Sequence, residues 1–325
     1  MRLSRLMYAA VTGAGLIAAA MPAGAQQWPT RPVQVISPFA AGAANDIIAR
    51  VVLDQVQQQL GQPFVIENRT GAGGVVGAAS VARADPDGYT ILLAGASMSS
   101  AVILHSTLPY DTLADFEPVV PFGVQPSVLV AAPSKGIKTV ADLVAAAQAK
   151  PGALNFASAG IGSASHIAGE RFVLAAHLDV QHIPYRGPVE AFADLMTGRI
   201  DFYFVPITPA VPMIAQGKVV ALAVSTPQRA PLLPDVPTIA EAGYPDAAYL
   251  FWGGLMAPAK TPRVIVDKLH DAVQKALDMP SVQEKLQRLG VQPDPMSPDQ
   301  FAKFFADDVA ATIKIGKDAH IAPTD

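Results

Sequence analysis

The chain contains no cysteine among its 325 residues. That excludes disulfides, thiolate metal sites and a lipid-modified N-terminal cysteine. Charge is also scarce, at 15% of the sequence, against about a quarter in an ordinary globular protein. What charge there is leans acidic, with 23 Lys and Arg against 27 Asp and Glu, which argues against non-specific nucleic-acid binding. There is no Gly-x-Ser-x-Gly nucleophile elbow and no His-Glu-x-x-His zinc motif. The six histidines, His105, His166, His177, His182, His270 and His320, show no metal spacing with carboxylates. No metal and no cofactor is therefore expected.

Long apolar runs are missing beyond the first segment. Met1–Leu6 carries Arg2 and Arg5, Tyr8–Met21 is apolar, and Ala23-Gly24-Ala25 has the small-x-small form of a signal-peptidase site. Residues 1–25 are predicted to be a secretory signal peptide, cleaved after Ala25. A membrane anchor is the competing reading, but the run is short for a span and ends at Pro22. The mature protein is expected to be soluble and periplasmic. Loss of Arg2 and Arg5 moves its net charge from −4 to −6. The roughly 300 residues that remain can bury a large core and suggest two domains.

Strand and helix signals alternate along the mature chain. Val33–Ser37, Phe64–Glu67 and Tyr89–Ala94 read as strands, and Asn45–Leu60 as a helix with apolar Ile48, Val52, Val56 and Leu60 and a stop at Gly61. Phe116–Phe122 and Ser127–Ala132 are further strands. The pattern then restarts, with helix Val140–Ala149 capped by Thr139, strand Leu154–Ser158, a helix through Ala176, strand Val180–Tyr185, helix Pro188–Thr197, and strands Ile200–Val205 and Val219–Ser225. The tail reads as three helices, Thr261–Leu277, Ser281–Leu289 and Ser297–Lys317. Repeated βα units predict an α/β fold with parallel sheets and helices on both faces. Ligands of such sheets bind beyond the carboxyl ends of the strands. Those ends carry Pro38–Ala44, Gly95–Ser100, Ser158–Ser165 and Tyr185–Pro188, all small or hydroxylated.

The stretch VQVISPFAAGAANDIIAR, Val33–Arg50, is a strand, a loop of tiny residues and a helix. Asn45 or Asp46 can cap that helix, and Ala41, Gly42 and Ala43 leave backbone N–H groups open to an anion such as a carboxylate. A compact βα turn with no ligand fits the same spacing. Gly71–Gly77 resembles a dinucleotide fingerprint but has Val76 where the third glycine belongs, and a tight turn at a helix start, leading into the Ala-rich Val76–Arg83, fits it better. Ser158–His166 repeats the pattern of the first loop, so Ser163 and nearby N–H groups either bind a carboxylate or merely cap a helix. Arg186, at the end of another strand, either forks onto a ligand carboxylate or sits on the surface. Ser163 or Ser165 beside His166 also suggests a secreted hydrolase, though no triad partner is evident.

Together and in order, these stretches resemble a known family. They include Trp28-Pro29, PFAAGAANDIIAR, VIENRTGAGGVVGA, ADPDGYT, LPYDTLADFEPV, FASAGIGSASHIAGE, IPYRG, DLMTGRIDF, LPDVPTIAEAGYP, and Trp252 with MAPAKTP. The chain is similar to the Bug (Bordetella uptake gene) family, periplasmic solute receptors of tripartite tricarboxylate transporters. The resemblance implies a two-lobed, type II periplasmic-binding-protein fold that closes like a flytrap, with 26–124 plus 246–325 as one domain and 125–245 as the other. It implies capture of a small organic carboxylate, such as a di- or tricarboxylate, an aromatic acid or an amino acid, for delivery to membrane transporter subunits. A sensor that presents its bound form to a signalling partner is the alternative. The implied ligand residues are Phe39, Ala41, Gly42, Ala43, Asn45, Asp46, Ser97, Ser158, Gly160, Gly162, Ser163, Arg186 and Gly187, acting through backbone amides and ordered waters. The chain departs from the family in having Ala41-Gly42-Ala43 where Pro-Gly-Gly is common. The added methyl group at Ala43 disfavours a positive φ there, and Asn45 is a candidate for tuning selectivity.

Overall fold

The computed structural model describes residues 28–185 and 188–323. The predicted signal peptide, Arg186 and Gly187 lie outside the described residues. The first elements are β1 (Val33–Ser37), α1 (Ala44–Leu60), β2 (Phe64–Asn68), α2 (Val75–Ala82), β3 (Thr90–Gly95), α3 (Ser97–Leu104) and β4 (Phe116–Gln125). Next come β5 (Ser127–Ala131), α4 (Val140–Ala149), β6 (Asn155–Ser158), α5 (Ala164–Ala175), β7 (Gln181–Pro184), α6 (Pro188–Met196), β8 (Phe202–Pro206), α7 (Ile207–Ala215) and β9 (Val220–Val224). The chain ends with β10 (Phe251–Pro258), α8 (Arg263–Leu277), α9 (Pro280–Arg288) and α10 (Pro298–Asp318).

The strands form two sheets, ordered β2-β1-β3-β10-β4 and β7-β6-β8-β5-β9. The expected parallel direction holds except for one strand in each sheet: β10 runs antiparallel to β3 and β4, and β5 antiparallel to β8 and β9. Each reversed strand is the first after the chain passes from one sheet to the other. It enters its new sheet from the opposite end, without a helical crossover to restore direction.

Side chains alternate across the first sheet as a two-residue period requires. Val33, Val35, Ile91 and Leu93 pack with Ile48, Val52 and Val56 of α1 and with Leu269 and Val273 of α8. Ile36, Leu92 and Ala94 face the other way, toward Trp252 and α10. Trp252 is fully buried, and Phe301, Phe304 and Phe305 meet its ring edge-on at 5.5, 6.0 and 5.7 Å. The second sheet repeats the arrangement, with Val128, Val130, Tyr203 and Val205 in one layer and Leu129, Phe202 and Phe204 in the other.

Three elements are absent from the pattern reading: α3, α7 and β10. The strand β10 reads FWGGLMAP, and α7 holds Pro212 inside it. Glycine and proline lower strand and helix propensity, and tertiary packing overrides that here. The Thr139 cap is present as expected, and forms a full capping box with Asp142. Thr139→Ala is expected to lower stability by about 1 kcal/mol in a denaturant titration, with an unchanged midpoint counting against that assignment.

Candidate functional site

The first loop leaves the carboxyl end of β1 and enters α1. Its helix begins at Ala44, one residue earlier than the sequence suggests, so Ala43 is the N-cap residue and no side chain caps the helix. Asn45 and Asp46 therefore fall inside the first turn, which corrects the capping role expected of them. The Asp46 carboxylate instead fastens the loop from below. It accepts hydrogen bonds from the Gly42 N–H at 2.9 Å, from Arg50 at 2.9 and 3.1 Å, and from Asn68 at 2.9 Å. Asn68 also donates to the Phe39 carbonyl at 2.9 Å. Burial by itself would raise the Asp46 pKa, but the hydrogen bonds from Arg50, Gly42 and Asn68, with the Arg50 charge, hold the carboxyl below its ordinary range.

These bonds correct the picture of an open row of amides. Gly42 N–H is engaged by Asp46, and Ala43 N–H donates to the Ala40 carbonyl at 3.0 Å. The N–H groups of the first helical turn, Ala44 to Asp46, have no intrahelical acceptor. Gly42 carries the positive φ of the loop, 82°, whereas Ala43 sits at −64°. The alanine in place of glycine is thus accommodated without strain. Ala41 and Gly42 are exposed and Phe39 is half-buried.

Asn45 is buried, and lies flat across the paired residues Gly95 and Gly253 of β3 and β10. A Cβ on Gly95 would come within 2.5 Å of Asn45 Nδ2, and one on Gly253 within 2.6 Å of Oδ1. The two glycines make room for this amide, whose Nδ2 has no hydrogen-bond partner. The Phe39 ring reaches the same spot, 3.0 Å from the Cβ position of Gly95. Ser97, half-buried, opens α3 at the end of β3 beside Pro38, Gly74 and Tyr110.

The second loop leaves β6 and enters α5. Gly160 and Gly162 have φ of 125° and 73°, which glycine alone adopts without cost. Ser163 is the N-cap, and its hydroxyl accepts from the His166 N–H at 3.3 Å and contacts Ser165 Oγ at 3.0 Å. Ser165 Oγ accepts from the Ala159 N–H, and Ser158 Oγ from the Gly160 N–H. The Gly162 N–H donates to His166 Nδ1 at 3.0 Å. The Ser163 hydroxyl and the Gly162 amide thus shape the loop, the plainer of the two roles the sequence allows.

The same bonds bear on chemistry. His166 Nδ1 accepts from a backbone N–H, so its proton lies on Nε2, which faces Glu170 Oε1 at 3.4 Å. Neither nitrogen addresses the hydroxyl of Ser163 or Ser165, so the hydrolase reading lacks its base. His166, Glu170 and His182 have candidate ligand atoms within 4.8 Å of one another. The two imidazoles, however, stack at 4.0 Å with planes 16° apart, and His166 Nε2 carries its proton. Those features oppose convergence on a cation. His182 Nε2 instead meets Ser158 Oγ at 2.7 Å, and burial, followed by the electrostatic effect of the stacked His166 ring, pushes its pKa down to about 3.

The second loop meets helix α3, which follows β3 of the first sheet, at Gly162. A Cβ there would lie 2.0 Å from Leu104, at the end of α3. Arg50, Asn68, His182 and Leu104 are not singled out by the sequence, and Ser165 is singled out there only as a nucleophile. Asn68 had a signal, since a βαβ unit sets the end of its second strand beside the first, and Ser37 and Asn68 do pair in register. A separate cavity of about 320 Å³ lies away from both loops, between Phe122, Ile207, Leu232 and Leu286. Its charged lining residues are Asp278 and Asp294, without a lysine or arginine, so it is ill suited to a carboxylate.

Comparison with known proteins places this architecture. A model described as tripartite tricarboxylate transporter family receptor matches residues 48–320. Protein BugT of Bordetella pertussis is 36% identical over 313 residues, covering 95% of each chain. An R. palustris protein solved with adipate is 33% identical, with a TM-score of 0.77 over 91% of this chain and 99% of that one. MatC from Rhodopseudomonas palustris, solved with bound malate, is 34% identical, with a TM-score of 0.73 over 89% and 99%.

Two outcomes follow from the loop geometry. A carboxyl held low in the fold stabilises it above the unfolded pKa of about 3.9, and that contribution disappears as the pH falls through the folded value. Asp46→Asn is expected to cost about 1–3 kcal/mol at neutral pH, and the deficit should shrink below about pH 4. A deficit constant from neutral to acid pH would contradict this. Gly162→Ala is expected to destabilise by about 1–3 kcal/mol through its φ and the Leu104 clash, and adding Leu104→Ala should restore part of the loss in thermal unfolding.

Proposed function

The chain belongs to the tripartite tricarboxylate transporter receptor family, and from that premise we propose that it is an exported, non-enzymatic receptor that captures a small organic carboxylate and delivers it to membrane transporter subunits. In this reading the lobes are residues 26–124 with 246–325, and 125–245. The observation that carries the proposal is the pair of small-residue loops. Each opens a helix at the carboxyl end of a strand, one in each sheet, and Leu104, at the end of the α3 that follows β3 of the first sheet, covers Gly162 of the second loop. Free first-turn N–H groups and the helix dipoles of α1 and α5 favour an anion between them.

Among the proposed ligand residues, Phe39 offers an apolar surface, Ala41, Gly42, Ala43, Ser97 and Gly160 keep the approach open, and Gly162, buried under Leu104, sets the turn. Asp46, Ser158 and Ser163 act by fixing loop shape, because their side-chain oxygens already hold backbone N–H groups. Arg186 and Gly187, which the resemblance implies as ligand residues, remain part of this proposal. Closure about the two crossings between the sheets would exclude water and strengthen the bonds to the acid. Adipate and malate, bound by two relatives, are the natural first probes.

Calorimetry of the folded mature chain against mono- and dicarboxylates is expected to give a micromolar Kd for at least one acid, equivalent to about 8 kcal/mol. Folded protein that binds none of them below millimolar concentration would overturn the proposal.

A further inference from the structure

Arg171 and Asp308 stand apart from the binding loops, yet each is tied to one of them. Arg171 lies on α5, about two turns beyond the Ser163 cap. Asp308 lies on α10 and accepts from Ser99 Oγ at 2.6 Å and from Trp252 Nε1 at 2.9 Å. Ser99 is in the first turn of α3, the helix that opens at the end of β3. One carboxylate therefore joins α10, β10 and a site-forming helix of the first sheet. Helix α5 packs on β6 and β8 of the second sheet, and also touches α10. Arg171 and Asp308 lie on the two helices of that contact, and each feels the charge of the other.

Arg171 is left short of a partner, and Asp308 is bonded through one oxygen. Arg171 Nε is buried without a hydrogen-bond partner, and its guanidinium carbon stands 6.0 Å over the Tyr249 ring. It senses the charges of Asp308 and of Asp246, on the segment that leads into β10, without an ion pair to either. Both hydrogen bonds to Asp308 fall on Oδ2, so Oδ1 keeps its lone pairs for another donor. Burial pushes the Arg171 pKa down and the Asp308 pKa up, as expected of charges withdrawn from water before they are paired. Much of the desolvation cost of an ion pair is thus already present in this conformation, and pairing would recover Coulomb energy in a low-dielectric setting.

We infer that Arg171 and Asp308 pair when the two lobes close, forming an interlobe latch that sets ligand affinity without touching the ligand. The inference rests on the two-lobed capture reading above. Both are positioning residues: Arg171 acts through α5 and its loop, Asp308 through Ser99 and α3. Coupling of this kind typically changes affinity by about 5- to 150-fold.

The absence of native cysteine makes the test clean. Gln58→Cys and Gln148→Cys, both at exposed helical positions on opposite lobes, accept spin labels for interlobe distances. The full mature chain is compared with Arg171→Met, Asp308→Asn and the double variant, each with and without adipate or malate. Each single variant is expected to shift the distances toward the open state and weaken binding about tenfold, with the double variant no weaker than the worse single one. Rescue by Arg171→Lys of part of the closed population would support a charge role over a packing one. Additive losses, tighter binding, or unchanged distances would overturn the latch. Failure of the wild type to bind any acid would count against the capture reading, while the distances of the unliganded proteins still decide whether the two charges act on each other.

Discussion

The site depends on one buried carboxylate. Asp46 lies in the first turn of α1, where the helix dipole favours negative charge. Its two oxygens collect a backbone N–H from the loop above, the Arg50 guanidinium one turn below and the Asn68 amide from the next strand. Through Asn68 it also fixes the Phe39 carbonyl. A loop of Ala and Gly has almost no side chains with which to hold itself. The shape of Ala40–Ala43 is therefore imposed from beneath, and Arg50 and Asn68 matter as much to it as the loop residues themselves.

The second loop solves the same problem differently. It has no buried carboxylate at its cap, and its shape is held by hydroxyls and an imidazole. Ser158, Ser165 and His166 each accept a backbone N–H from the loop, and His182 braces Ser158 from behind. Under the proposed capture of an acid, this arrangement spares the ligand a second buried carboxylate. The side chains that looked most reactive in the sequence turn out to be the ones that keep the loop rigid. A rigid loop loses little entropy on binding, which is how weak individual donors can add up to useful affinity under the proposed function.

The legibility of this protein varied with the kind of signal. Strand β1 and helices α1 and α4 were read closely because period and stop signals agree: Ile48, Val52 and Val56 share one face, Gly61 ends α1 in the left-handed conformation, and Thr139 caps α4. Strand β10 was not read, since Gly253 and Gly254 are poor strand formers. They are present because Asn45 lies against the first, and the Val120 carbonyl crowds the second at 2.5 Å from its Cβ position. Helix α3 follows β3 after a single residue, Ala96, and carries no capping side chain. The roles of Ser163 and Asp46 were half-read: their importance was evident, but whether they face a ligand or their own backbone depends on hydrogen bonds that sequence spacing does not specify.

By itself the sequence determined the alternation of strands and helices, the two series of βα units, the small-residue character of the loops at the strand ends, and the family resemblance. These are local or additive properties, set by side-chain period, propensity and turn chemistry within a few residues. Tertiary structure decided which strand reverses in each sheet, that Asn45 lies across the paired glycines Gly95 and Gly253, that Leu104 closes over Gly162, and that Arg171 and Asp308 come within range of each other's charge. Each of these joins residues distant along the chain, and its geometry follows from how two packed layers come to rest on one another. No local pattern encodes that, because the energy belongs to the contact and not to either segment alone.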